Sequence, residues 1–156
     1  LTPLAWLASL AFPACGAVGA AGLPVPTLMD MTAIQRPGTP NTFLAGPEGM
    51  KPEPDLVTRE HSLPATEMYE NARMLFERQP RTYVAAEFPQ QLQVHYVVRS
   101  ALLNFPDLVT VQTNAAGPAG STVTIWSRSV YGRGDLGVNR KRTEAWIAAL
   151  QQSNQR

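Results

Sequence analysis

At 156 residues the chain has about the length of one domain, enough to bury a core without disulfides or metals. Thirteen basic residues against twelve acidic ones leave a net charge of +1, which excludes the concentrated basic footprint of a general nucleic-acid binder. A lone cysteine, Cys15, excludes an internal disulfide and reads as an apolar filler.

The charged fraction of 16% falls well below the typical ~25%, and much of the deficit is local: no charged residue occurs before Asp30. Residues 1–23 form an apolar N-terminal segment, and the stretch 4–23 has about the length of a bilayer-spanning helix. Trp6 suits an interfacial anchor. Pro13, Gly16, Gly19 and Gly22 stand against such a helix. Three readings follow: a membrane-embedded helix packed on a partner, the remnant of an export signal, or an apolar tail buried in a larger assembly. Each places the domain at or across a membrane, on its periplasmic or thylakoid-lumenal side. The opening on Leu1 is expected of a cleaved or shortened precursor.

Residues 24–54 are punctuated by proline and glycine, which predicts an extended strap without regular helix or central strand. The α+β domain is expected over 55–151, with 152–156 as a polar tail. Residues 55–60 read as a short strand. From Ala65 the apolar positions Met68, Tyr69, Ala72, Leu75 and Phe76 mark one buried helical face. Strands are expected over 82–88, 91–99, 107–113 and 121–130. In the second of these, Leu92, Val94, Tyr96 and Val98 point one way and Gln93, His95, Val97 and Arg99 the other. In the last, Val123 and Ile125 oppose Thr124, Trp126 and Arg128. A final helix over 139–151 carries Val138, Arg142, Ala145, Trp146, Ala149 and Leu150 on its inward stripe. The predicted fold is an antiparallel sheet of four to five strands with two helices on one face.

The most specific stretch is Ser127-Arg128-Ser129 followed by the bend Gly132 to Gly137 and then Val138-Asn139-Arg140-Lys141-Arg142. Asn139 suits a helix N-cap. The crowded positive charge at the helix start is disfavoured by the macrodipole and calls for an anion, with Asp135 the nearest in sequence. Two readings stay open. In the structural one, Arg128, Asp135 and Arg142 form an internal ion network locking turn, sheet and helix together. In the functional one, His95, Arg99, Trp126 and Arg128 form a shallow basic-aromatic patch for a small anion or lipid headgroup, provided their strands are neighbours.

No catalytic motif, cofactor loop or metal-ligand spacing is present. His61 and His95 stand apart, and Arg133-Gly134-Asp135 belongs to the bend. The stretch SRSVYGRGDLGVNRKR resembles the C-terminal signature of the family catalogued as domain of unknown function 1499, with Gly134 where many relatives carry serine. Arg36 to Asn41, Gln79-Pro80-Arg81, Val98-Arg99-Ser100 and Phe105-Pro106-Asp107 extend the likeness. The resemblance implies bacterial and chloroplast relatives, often behind a membrane or export segment, and a family without established activity. Together these features lead to the expectation of a non-enzymatic accessory subunit of a membrane protein complex, photosynthetic or respiratory, held through its N-terminal segment. It would need no cofactor, metal or nucleic acid. The alternative is a small anion- or lipid-headgroup-binding module.

Overall fold

A computed structural model describes residues 1–154. Its centre is a six-stranded mixed sheet in the order β2-β1-β6-β5-β4-β3, built from β1 (Thr42–Pro47), β2 (Leu56–Thr58), β3 (Thr82–Phe88), β4 (Gln93–Arg99), β5 (Pro106–Ala115) and β6 (Ser121–Ser129). The helices among the described residues are α1 (Pro3–Ser9), α2 (Ala65–Phe76) and α3 (Val138–Ser153), with short 3₁₀ turns at Pro13–Gly16 and Pro89–Gln91.

The α+β class holds, but the sheet is larger than expected and not wholly antiparallel. β1 lies inside the segment read as a proline-bound strap. Pro40 stops just short of it and Pro47 occupies its last position, so neither ring removes an interior ladder donor. β1 pairs antiparallel with β6 and parallel with the three-residue edge strand β2. It is buried on both faces: Ala45 joins the main core and Leu44 a second cluster with Met31 and Trp126.

Alternation along β4, β5 and β6 sends Val94, Tyr96, Val109, Val111, Val123 and Ile125 to one face, where α2 and α3 cover them. Trp146 is central there. It stacks on Phe76 with ring centroids 4.5 Å apart and meets Tyr96 edge-on at 5.9 Å. The inward stripe of α3 is Asn139, Thr143, Trp146, Ile147 and Leu150, whereas Val138 and Ala145 are exposed. The apolar periodicity misplaced the stripe because two of its members are polar.

Residues 1–36 lie over the opposite face. The spanning helix expected across 4–23 does not form: no helix among the described residues is long and apolar enough to cross a membrane. Helix α1 ends after seven residues, and Gly19 and Gly22 take positive φ in the turns that follow Pro13. The segment docks instead on the chain's own sheet, with Ala5, Ala14 and Cys15 buried.

Candidate functional site

The signature stretch divides between the two faces of the sheet. Ser127 and Ser129 point to the helix face and Arg128, between them, leaves by the other. That alternation rules out the expected pairing of Arg128 with Asp135 and Arg142. The carboxylate partner of Arg142 is Asp107: Nη2 donates to Oδ2 at 2.6 Å, with both side chains nearly buried at 11% and 12% exposure. Arg142 Nη1 also donates to Ser127 Oγ and Asn139 Oδ1, each at 3.0 Å. Burial pushes the Asp107 carboxyl up, against the pull of Arg142.

Asp135 does the capping assigned to Asn139. Helix α3 starts at Val138, and Gly137 sits at its cap with φ 76°. Asp135 Oδ1 accepts from the Gly137 N–H at 2.8 Å, and Oδ2 from the Asn139 N–H at 3.0 Å and from Asn139 Nδ2 at 2.7 Å. Burial pushes this carboxyl up, but the donors from Asn139 and Gly137 outweigh it and hold the group below its usual range. Asn139 is the buried hub of the clasp. It accepts from Ser127 Oγ at 2.6 Å and donates to Ser129 Oγ at 2.9 Å and to the Asn41 carbonyl at 3.1 Å. The helix-face half of the signature is thus a closed polar clasp joining α3, β6, β5 and the start of β1.

On the opposite face, β4 and β6 are not neighbours. β5 runs between them, with His95, Thr110 and Trp126 in one cross-strand row and Val97, Leu108 and Arg128 in the next. His95 and Arg128 are nevertheless joined through Thr110, which sequence reasoning did not pick out. Gln93 Oε1 already accepts from the Met29 N–H at 2.8 Å, so His95 Nε2, also 2.8 Å from it, is the protonated nitrogen. His95 Nδ1 then accepts from the Thr110 hydroxyl at 2.9 Å, and Thr110 Oγ1 accepts from Arg128 Nη1 at 3.2 Å. Burial first, and Arg128 second, push His95 down to about 4, so it is neutral. Trp126 lies near two guanidinium groups, with Arg36 5.9 Å and Arg128 6.0 Å from its ring centroid.

Arg99 is not part of this patch. Fully buried, it donates to four carbonyls: Gly19 at 2.6 Å, Ala14 at 2.7 Å, Ala21 at 2.7 Å and Asn104 at 3.1 Å. Asn104 adds two bonds, to the Cys15 and Ala17 carbonyls, both at 2.8 Å. The arginine and asparagine pin the N-terminal segment by its backbone, which no side-chain pattern in the segment announces. Burial pushes the Cys15 thiol up beneath them, the chemistry of an inert packed thiol.

Arg128 differs from Arg36, Arg73, Arg140 and Arg142, each of which has a carboxylate partner. Its acceptors are neutral, Thr110 Oγ1 and the Trp126 carbonyl at 3.3 Å, and among the described residues no carboxylate lies within salt-bridge range. Burial pushes its guanidinium down to about 10. It borders two clefts. One of about 610 Å³ is lined by Met29, Ile34, Thr42 and Trp126, and one of about 490 Å³ lies under Leu23 to Met29. Among the described residues no group of three or more His, Cys, Asp or Glu side chains could hold a metal ion. His61 is remote from this patch, bridged by its backbone to Ser121.

These features define a compact α+β protein whose sheet is closed by helices on one side and by its own N-terminal segment on the other. The family described as proteins of unknown function, DUF1499, matches residues 34–150, and the chain belongs to that family. A search of curated proteins gave no match.

Proposed function

We propose that the chain is a non-enzymatic accessory subunit of a membrane protein complex, held on its periplasmic or thylakoid-lumenal face. The observation that carries this reading is the surface of the N-terminal segment. Leu1, Leu4, Trp6, Leu7 and Leu10 are all exposed, Trp6 at 63% and Leu10 at 73%, within a stretch free of charge up to Asp30. Scattered exposed apolar residues need no explanation, but a cluster of this kind suits a partner or membrane surface. The Arg99 carbonyl cage supports the reading further, since it presents the segment from a fixed base. A photosynthetic or respiratory host follows from the bacterial and chloroplast range that the resemblance implies.

The test is native electrophoresis of membrane fractions after mild detergent. The chain is expected to travel with a larger assembly, and migration alone would overturn the reading. A Leu4→Ser/Leu7→Ser/Leu10→Ser variant should stay folded with Tm lowered by a few degrees at most, because exposed sites usually shift stability by no more than about 0.5 kcal/mol each, yet leave the assembly.

A second reading, a binding module for an anionic small molecule or lipid headgroup, is favoured by the lack of a counter-charge at Arg128 among the described residues.

A further inference from the structure

The arginines of this protein show what each guanidinium requires once removed from water. Arg142 has Asp107, Arg36 has Asp55, and Arg73 has Glu77 and Glu87. Among the described residues Arg99 has no carboxylate but places four of its five N–H donors on carbonyls. Arg128 has neither arrangement. Only Nη1 is bonded, to two neutral oxygens at 3.2 and 3.3 Å, while Nε and Nη2 have no acceptor among the described residues. A half-buried planar fork with free donors is matched to an oxyanion.

The surroundings limit which oxyanion. His95, the other titratable group lining the cleft, is neutral and already committed at both ring nitrogens. The site therefore offers one positive charge. The walls of the 490 Å³ cleft are otherwise mostly apolar, and the volume lies within the ~300–1,000 Å³ typical of ligand pockets.

One wall is the bridge formed by residues 22–28. It is held at one end by the Arg99 bonds to Gly19 and Ala21, and at the other by Gln93, which bonds both the N–H and the carbonyl of Met29 at 2.8 Å. Between these clamps no hydrogen bond ties the bridge to the sheet among the described residues. Pro24 and Pro26 have no N–H to offer a ligand, so the bridge contributes apolar surface above all.

We propose that this cleft binds a single-tailed amphiphilic monoanion. Its head would lie on the Arg128 fork and its alkyl chain along Leu23, Pro26, Leu108 and Val130, beneath the bridge. The inference rests on the ligand-binding reading above and names its ligand class. Two head chemistries share the required features, a carboxylate and a singly charged phosphate ester.

The test uses the full chain, with calorimetry and thermal shift against decanoate, the diester decyl methyl phosphate, acetate, inorganic phosphate and decanol. Decanoate or decyl methyl phosphate is expected to bind and raise Tm, and the tighter of the two identifies the head. Acetate, phosphate and decanol should each bind at least about tenfold more weakly, since head and tail both contribute. Arg128→Met should weaken the amphiphile by about tenfold or more, and Arg128→Lys, which keeps the charge and loses the fork, should fall between. In the unsubstituted protein the Arg128 Nε–H resonance should move on titration, which tests the contact without relying on a variant that folds. Equal binding of phosphate or acetate would overturn the tail and leave the anion reading standing. Equal binding of decanol would overturn the role of Arg128. Absence of binding by every probe would overturn both the inference and the reading beneath it.

Discussion

The two faces of the sheet are closed by different physics. On the helix face, α2 and α3 bury a contiguous apolar core in which each side chain contributes on the order of 1.5–3 kcal/mol. On the other face the covering segment is apolar too, yet its deepest attachments are polar: a guanidinium and an amide gripping five of its backbone carbonyls. Apolar packing is tolerant and spread over many residues. A carbonyl cage depends on very few, because each buried acceptor left unpaired costs about 1–3 kcal/mol. One face should thus fail by softening and the other by release.

The largest effect is expected at Arg99. Arg99→Met strands three carbonyls of the segment and should cost about 3–9 kcal/mol in the docking of residues 1–21. The segment can recover water by detaching, so the loss should be local. Hydrogen exchange should show Ala14 to Ala21 unprotected while α2 and α3 stay protected. The mirror experiment is Trp146→Ala, expected to cost about 3–5 kcal/mol and to lower protection on both helices together. If Arg99→Met lowered protection uniformly, the two faces would form one cooperative unit and the contrast would fall.

A smaller effect, visible only with pH, comes from His95. Its folded pKa of about 4 lies below the 6.5 of the free side chain, so the unfolded chain takes up the proton first as pH falls. The stability that depends on neutral His95 is therefore complete above pH 6.5 and is lost progressively toward pH 4. The total is on the order of 3 kcal/mol. His95→Gln is neutral throughout. Denaturation of both proteins from pH 7 to pH 4 should give curves that converge as the acid limb is reached. Parallel curves would mean that the Thr110–His95–Gln93 chain accepts the extra proton beside Arg128 without loss.

How far the sequence could be read differs between the faces for the same reason. Alternation in β4 and β6 correctly sorted Val94 and Ile125 from His95, Arg99, Trp126 and Arg128, because period two survives any arrangement of neighbours. The periodicity of α2 was equally readable. What lay over the second face was not. An uncharged run such as residues 4–23 has the composition of a bilayer helix, and nothing in it says that its carbonyls will meet an arginine about 80 positions away. β1 is hidden by its proline flanks, which suggest irregular chain although neither falls on an interior ladder position. Of the four patch residues, the fold joins His95 to Arg128 through Thr110, sets Trp126 beside them and commits Arg99 elsewhere. In the signature, proximity along the chain pointed to Asp135 as the partner of Arg142, whereas sheet register brings Asp107 level with Ser129 and within reach of the helix.

That exchange of roles gives the most discriminating prediction, with the smallest expected effect at Asp135. Asp135 serves helix α3 as an acceptor for backbone N–H groups, so an uncharged oxygen can do much of its work. Asp135→Asn should cost only a few tenths to about 1 kcal/mol, and Asp135→Ala about 1–2 kcal/mol, the range for loss of a cap. Because its carboxyl is held below the usual range, what charge adds here is present near neutrality and fades as pH drops through the carboxylate range. Asp107 serves Arg142 as a buried counter-charge, and Asp107→Asn leaves that guanidinium unneutralised, at a cost of about 3–5 kcal/mol. Equilibrium denaturation should therefore rank Asp107→Asn well above Asp135→Asn. The reverse order would mean that the bend, and not the sheet, neutralises the basic start of the helix, and the clasp would have to be redrawn around Asp135.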